Sequence, residues 1–198
     1  LAHANVNVRL LATNELVDRG GPQVIDAVRR LVDRRSATPE QRASGLWVLS
    51  RLAALPAERL RAAATDREEL VRVHALRILA EARHLTDADR AVAERGLRDA
   101  SPHVRRVAVE ALGRHPAWSA VQPLLELRAD VPAEDTHLLY TVRIALRDHL
   151  RDEAIFDRVR ATEWSERDAR AIADAASGIP TPAAARLLLA HLRRVSEP

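Results

Sequence analysis

Residues 101–112 read Ser-Pro-His-Val-Arg-Arg-Val-Ala-Val-Glu-Ala-Leu. Ser101-Pro102 has the form of a helix start, a capping hydroxyl followed by a proline whose missing N–H costs nothing in the first turn. From there Arg105, Ala108 and Leu112 stand at offsets of three and seven, which places them on one side of a helix. Val104, Val107 and Ala111 fill in the same stripe. The phrase recurs as Arg9–Ala12–Leu16, Arg42–Gly45–Leu49 and Arg72–Ala75–Leu79, at intervals of 33, 30 and 33 residues. A looser copy, Arg143–Leu146–Leu150, follows after 38 residues, and a weaker sixth runs from Asp168 to Ala176. The small residue in the middle lets a neighbouring helix approach, and the Leu one turn on fills the space beside it. By this pattern the first helix is expected to bury Val8, Leu11, Ala12 and Leu16.

Shorter amphipathic segments lie between the copies. Residues 22–34 carry Val24, Ile25, Val28, Leu31 and Val32. Residues 119–128 carry Val121, Leu124 and Leu125, and residues 180–195 carry Leu187, Leu188, Leu192 and Val195. The punctuation agrees with two helices per repeat. Gly20-Gly21-Pro22 closes one helix and opens the next. Thr38-Pro39-Glu40-Gln41 is a capping box, and Ser165 with Asp168 and Thr181-Pro182 mark further starts. Pro56, Pro116 and Pro132 fall at breaks, and Pro123 is expected in a first turn, where a missing N–H is cheap. A helical pair of this size cannot bury both faces alone; stacked pairs share one core. The expectation is an all-α fold, an α-solenoid of about six helical pairs and twelve helices wound as a right-handed superhelix. It forms a single repeat domain over residues 1–198. Leu1 falls inside an apolar-periodic stretch with no initiator Met, so the segment is expected to come from a longer chain.

Composition narrows the function classes. The chain has 198 residues, all 31 of its basic residues are Arg, and it holds no Cys, no Met and 3% aromatics. Disulfide frameworks, thiolate metal sites and cysteine nucleophiles are excluded. The pI of about 10.6 reflects arginine's very high pKa, because the formal net charge is only +3. Residues 1–66 carry ten Arg and seven acids, residues 67–130 eleven and ten, and residues 131–198 ten and eleven. No basic tail or groove is set apart in sequence, and no run approaches the ~20 apolar residues of a membrane span.

The phrase Ser101-Pro102-His103-Val104-Arg105 through Leu112, followed by Ala120-Val121-Gln122-Pro123-Leu124-Leu125, resembles a HEAT repeat, an armadillo-like helical-repeat class. The resemblance covers essentially the whole chain and implies a solenoid. HEAT arrays serve many roles, so it names no single activity. Two stretches, Asn5-Val6-Asn7-Val8-Arg9 through Leu16 and Asp135-Thr136-His137-Leu138-Leu139-Tyr140 through Arg147, resemble the HEAT segment of large exported bacterial proteins of planctomycete type. In that family a sugar-dehydrogenase-like propeller precedes the segment and a c-type haem domain follows it. The resemblance implies an exported or periplasmic setting and a parent whose redox chemistry lies outside this segment.

The search for chemistry yields no catalytic residue, no cofactor site and no metal site. No two of the eight His stand three or four residues apart; they are expected at surfaces and helix ends. No nucleophile elbow, phosphate loop or dinucleotide fingerprint is present. Glu68-Glu69, Glu134-Asp135 and Asp152-Glu153 stand where helices begin, and capping accounts for them. The candidate partner-binding residues are Arg9, Arg42, Arg72, Arg105, Arg143, Trp118, Tyr140 and Trp164. A row of Arg can grip carboxylates or phosphates bidentately. Each also follows a polar turn (Asn5 and Asn7, Glu40, Asp66, Asp99), and the favoured role is to tie those turns together between repeats. Trp118 and Trp164 come at helix starts, either as interface anchors or, preferably, as covers over a helix end. Tyr140 is placed on the concave surface, and Trp47 in the core. The expected function is a non-enzymatic interaction or scaffold module whose concave face binds a protein or neighbouring domains of its own chain. The competing reading, a nucleic-acid-binding solenoid of the DNA-glycosylase type, requires a concentrated basic groove and a catalytic carboxylate, and the even charge distribution disfavours it.

Overall fold

The computed structural model describes residues 1–196 and is helical throughout them, with no strand. Twelve helices follow one another: α1 (Val6–Arg19), α2 (Pro22–Asp33), α3 (Pro39–Arg51), α4 (Ala57–Ala63), α5 (Glu69–Glu81), α6 (Asp87–Gly96), α7 (Pro102–Arg114), α8 (Trp118–Asp130), α9 (Thr136–Leu150), α10 (Glu153–Ala161), α11 (Glu166–Ala176) and α12 (Pro182–Ser196). The starts are capped as the sequence foretells. Thr38 and Gln41 exchange both bonds of a capping box, and Ser101, Ser165 and Thr181 accept from the amides of Val104, Asp168 and Ala184. Asp135 and Asp152 cap α9 and α10 in the same way. A second capping box, Thr86 with Asp89, opens α6; its Asp in place of the usual Glu or Gln hides it in the sequence.

The α-solenoid is built in two layers. Each odd-numbered helix packs on the next from α1 to α11, and the even helices pack on the odd ones and scarcely on each other. The even helices α2, α4, α6 and α8 sit mainly on the odd helix that follows them, so the natural unit is the shorter helix and then the Arg helix. Beyond α9 the arrangement changes, with α10 on α9, α12 on α11 and α8 touching α11 directly.

The small residues of the repeat are explained by this packing. A Cβ on Gly45 would meet Val32 of α2 at 2.6 Å, and one on Gly113 would meet the Cβ and Cα of Ala145 at 3.0 and 3.1 Å. Ala75, Ala108, Leu79 and Leu112 are essentially without exposure. One core runs from Ala64 to Ala184, with two smaller clusters under α2, α3 and α5. No helix of the described residues is long and apolar enough to cross a membrane.

Several expectations are corrected. Val8 and Leu11 are 41% and 64% exposed. Val8 is the register equivalent of Val71, Val104 and Val142, which each pack under a preceding repeat, and no helix among the described residues covers that side of α1. Leu192 is likewise exposed at the other end, and the side chain of Val195 lies outside the described residues. Pro123 sits inside α8, because the helix begins at Trp118, so one bond of its ladder is missing. His149 is fully buried and lies on no surface; its Nδ1 is 2.8 Å from the carbonyl oxygen of Ala145. That carbonyl accepts, so Nδ1 carries the hydrogen and Nε2 is a buried lone pair without a partner.

Candidate interaction surface

The ladder arginines are engaged by the array itself. Arg9 donates to the carbonyls of His3 and Ala4, at 2.8 Å each. Arg72 donates to the carbonyls of Asp66 and Arg67, and Arg105 to those of Asp99 and Ala100. In each case the partners lie five and six residues back, in the turn before the helix. Three ladder arginines reach forward, and of these Arg72 alone also makes the backward bonds. Arg42 is bonded to Asp66. Arg72 grips both carboxylate oxygens of Asp99, at 2.8 and 3.0 Å. Arg143 meets Asp174 at 3.1 Å and the Ser177 hydroxyl at the same distance.

Asp66 and Asp99 in turn accept the amides of Glu68 and Ser101. Each aspartate thus folds its own turn and anchors the Arg one repeat earlier. A related set of ties joins the even side: Arg59 with Asp33, Arg61 with Asp89 and Arg98 with Glu126. The sequence holds no visible spacing signal for these.

Trp118 and Trp164 come together at one edge. Their ring centroids are 6.3 Å apart, and the Arg158 guanidinium lies 4.4 Å over the Trp118 ring. The Trp164 indole donates to the Val159 carbonyl at 2.8 Å. Both rings are half-buried against the main core, so this trio covers helix ends. Tyr140, 59% exposed on α9, stands in the register row of Val6 and Glu69.

Val6 and Glu69 of that row line an open groove on the odd layer, and Tyr140 stands outside its two recesses. Over α1, α3 and α5 a recess of about 360 Å³ is bordered by Leu10, Trp47, Arg51, Leu70, His74 and Arg77. It continues over α5 and α7 as a second recess of about 440 Å³, with His103, Arg106 and Val107. Trp47 is half-buried, packed on the Leu46, Val71 and Ile78 cluster as expected, with its outer side on the groove edge. Its indole donates to His74 Nδ1 at 2.8 Å, so the His74 hydrogen resides on Nε2. Burial holds the His74 imidazole below its ordinary pKa, and the charges of Arg77 and Arg9 lower it further. The sequence placed neither Trp47 nor His74 here, because their contact spans two helices 27 residues apart.

No cluster of three His or carboxylate side chains suited to a metal occurs among the described residues. No family model matches the chain, and no curated protein matches it in sequence.

Proposed function

We propose that the chain is a non-catalytic interaction or scaffold module, of the kind the HEAT resemblance implies, and that it holds a protein partner or neighbouring domains on its odd-helix face. The observation that carries this reading is the division of labour within single helices. On α5, Arg72 is spent on Asp99 and two turn carbonyls, while Leu70, His74 and Arg77 border an open groove. A stacked array offers such a face over its whole length. Of the candidate residues, the reading keeps Tyr140 as a surface contact and gives the five ladder Arg, Trp118 and Trp164 to the array's own cohesion.

The test is photo-cross-linking. A benzophenone amino acid is placed at Tyr140 or Arg77 on the odd face, and at Gln122 or Arg95 on the even face. Specific adducts from positions 77 and 140 support the assignment. Adducts confined to positions 95 and 122 put the interaction on the opposite side and refute it.

A further inference from the structure

The middle of the groove carries cations that the fold leaves unused. Among the described residues Arg77 and Arg106 lie within ion-pair distance of no carboxylate, unlike Arg42, Arg72 and Arg143 of the ladder. The Nε of Arg106 is buried and has no acceptor at all. The terminal nitrogens of that guanidinium are not sealed off, and an anion seated on them compensates a charge the fold leaves unpaired. His74, with Nδ1 occupied by Trp47, adds an Nε2–H donor beside them. Four acids, Glu40, Glu69, Glu81 and Glu110, line the same recesses, so the anion preference is local to Arg77 and Arg106. Glu110 is engaged by Arg114 at 3.1 Å. Glu81 stands one turn beyond Arg77 on α5, and Glu69 lies at the start of that helix. Between the cations lies an apolar floor of Leu70, Val73 and Val107.

We propose that this groove seats an extended acidic segment of a partner protein, with a carboxylate on Arg77 and Arg106 and an adjoining aliphatic side chain on Leu70, Val73 and Val107. This rests on the odd face being the binding surface. Arginine's planar fork suits a carboxylate, and a partly sheltered pair is screened less by salt than a fully exposed one.

The probes are short fluorescein-labelled peptides of paired Glu and Leu, with counterparts in which Glu becomes Gln or Lys, and a single-stranded oligonucleotide. They are titrated by anisotropy up to about 1 mM, the weak end of specific affinities, with hydrogen exchange on α5 and α7 read in parallel. The Glu peptide is expected to bind and to protect α5 and α7. Arg77→Gln and Arg106→Gln are each expected to weaken it about tenfold or more, the scale of one charge-assisted contact. Arg95→Gln, exposed on α6 of the even layer, is the control and leaves binding unchanged. Arg77 is exposed, so its variant keeps the fold even if Arg106→Gln does not. Equal binding of the Gln or Lys peptide at α5 and α7 overturns the acidic preference while leaving the odd-face surface standing. Preferential binding of the oligonucleotide, dependent on the same two Arg, replaces the peptide with a phosphate polymer. Absence of any probe binding defeats the groove assignment, and the cross-links from position 140 then judge the broader surface separately.

Discussion

Replacing Arg72 by alanine is expected to destabilise the array by about 2 kcal/mol. The Arg72 and Asp99 side chains retain 17% and 16% of their exposure, which sets the pair between two regimes. Exposed ion pairs contribute about 0–1 kcal/mol, and breaking a fully buried pair costs about 3–5 kcal/mol. Arg72 makes two bonds to the carboxylate and two to turn carbonyls. Its loss leaves Asp99 with only the Ser101 amide among the bonds seen here. A double-mutant cycle with Asp99→Ala is expected to show a coupling of about 1–2 kcal/mol. In a chain of this size each 1 kcal/mol moves Tm by roughly 2–4 °C, so Arg72→Ala should melt about 4–8 °C lower. Because repeats contact mainly their neighbours, hydrogen exchange should accelerate at the α5–α7 junction and not at α11. Thermal melts by circular dichroism with exchange mass spectrometry provide the assay. A stability loss below about 0.5 kcal/mol, with coupling near zero, would falsify the structural role of the ladder.

Other expectations follow from single sites. Ala53, the turn residue after α3, has φ 53°, and the Ala54 and Ala53 amides close the helix end onto Leu49 and Ser50. Ala53→Gly should therefore raise stability by about 0.5–1 kcal/mol, the left-handed penalty less the added chain entropy; a lower Tm contradicts this. Gly113→Val drives a side chain into the Ala145 backbone and should cost about 1–3 kcal/mol, read as a lower urea midpoint. Burial, with help from nearby Arg charges, holds His149 and His74 below their ordinary pKa. The unfolded chain therefore takes up these protons first as pH falls below about 6.5. Stability should be level above that value and then fall, by up to about 1.4 kcal/mol per pH unit for each histidine, until the folded-state pKa is reached. His149→Gln should flatten that decline in Tm between pH 7 and 5, and an unchanged slope counts against the assignment.

Local periodicity and caps made much of the fold legible. Ser101, Thr38, Asp135 and Asp152 cap the helices they precede, and the Arg–small–Leu spacing marks the odd helices because each repeat poses the same packing problem. Contacts across repeats were harder to read. The sequence marks Asp66 and Asp99 only as turn residues before their own helices; their grip on Arg42 and Arg72 depends on the stacking register. Val8 and Leu11 satisfy the core pattern yet stay exposed, since periodicity says which side of a helix is apolar and not whether anything covers it. The groove was the least legible part. Trp47 reads as core from its own helix, and its partner His74 lies on another. Arg77 and Arg106 look like any other of the 31 Arg until the stacking sets them side by side on one recess.

In the proposed reading the ladder holds the repeats together and leaves the odd-helix face to a partner. Its most direct test is hydrogen-exchange mass spectrometry on the chain alone and in complex with the protein captured from position 140. Slowed exchange is expected on α3, α5, α7 and α9, with α4, α6 and α8 unchanged. Protection confined to α4, α6 and α8 would contradict it.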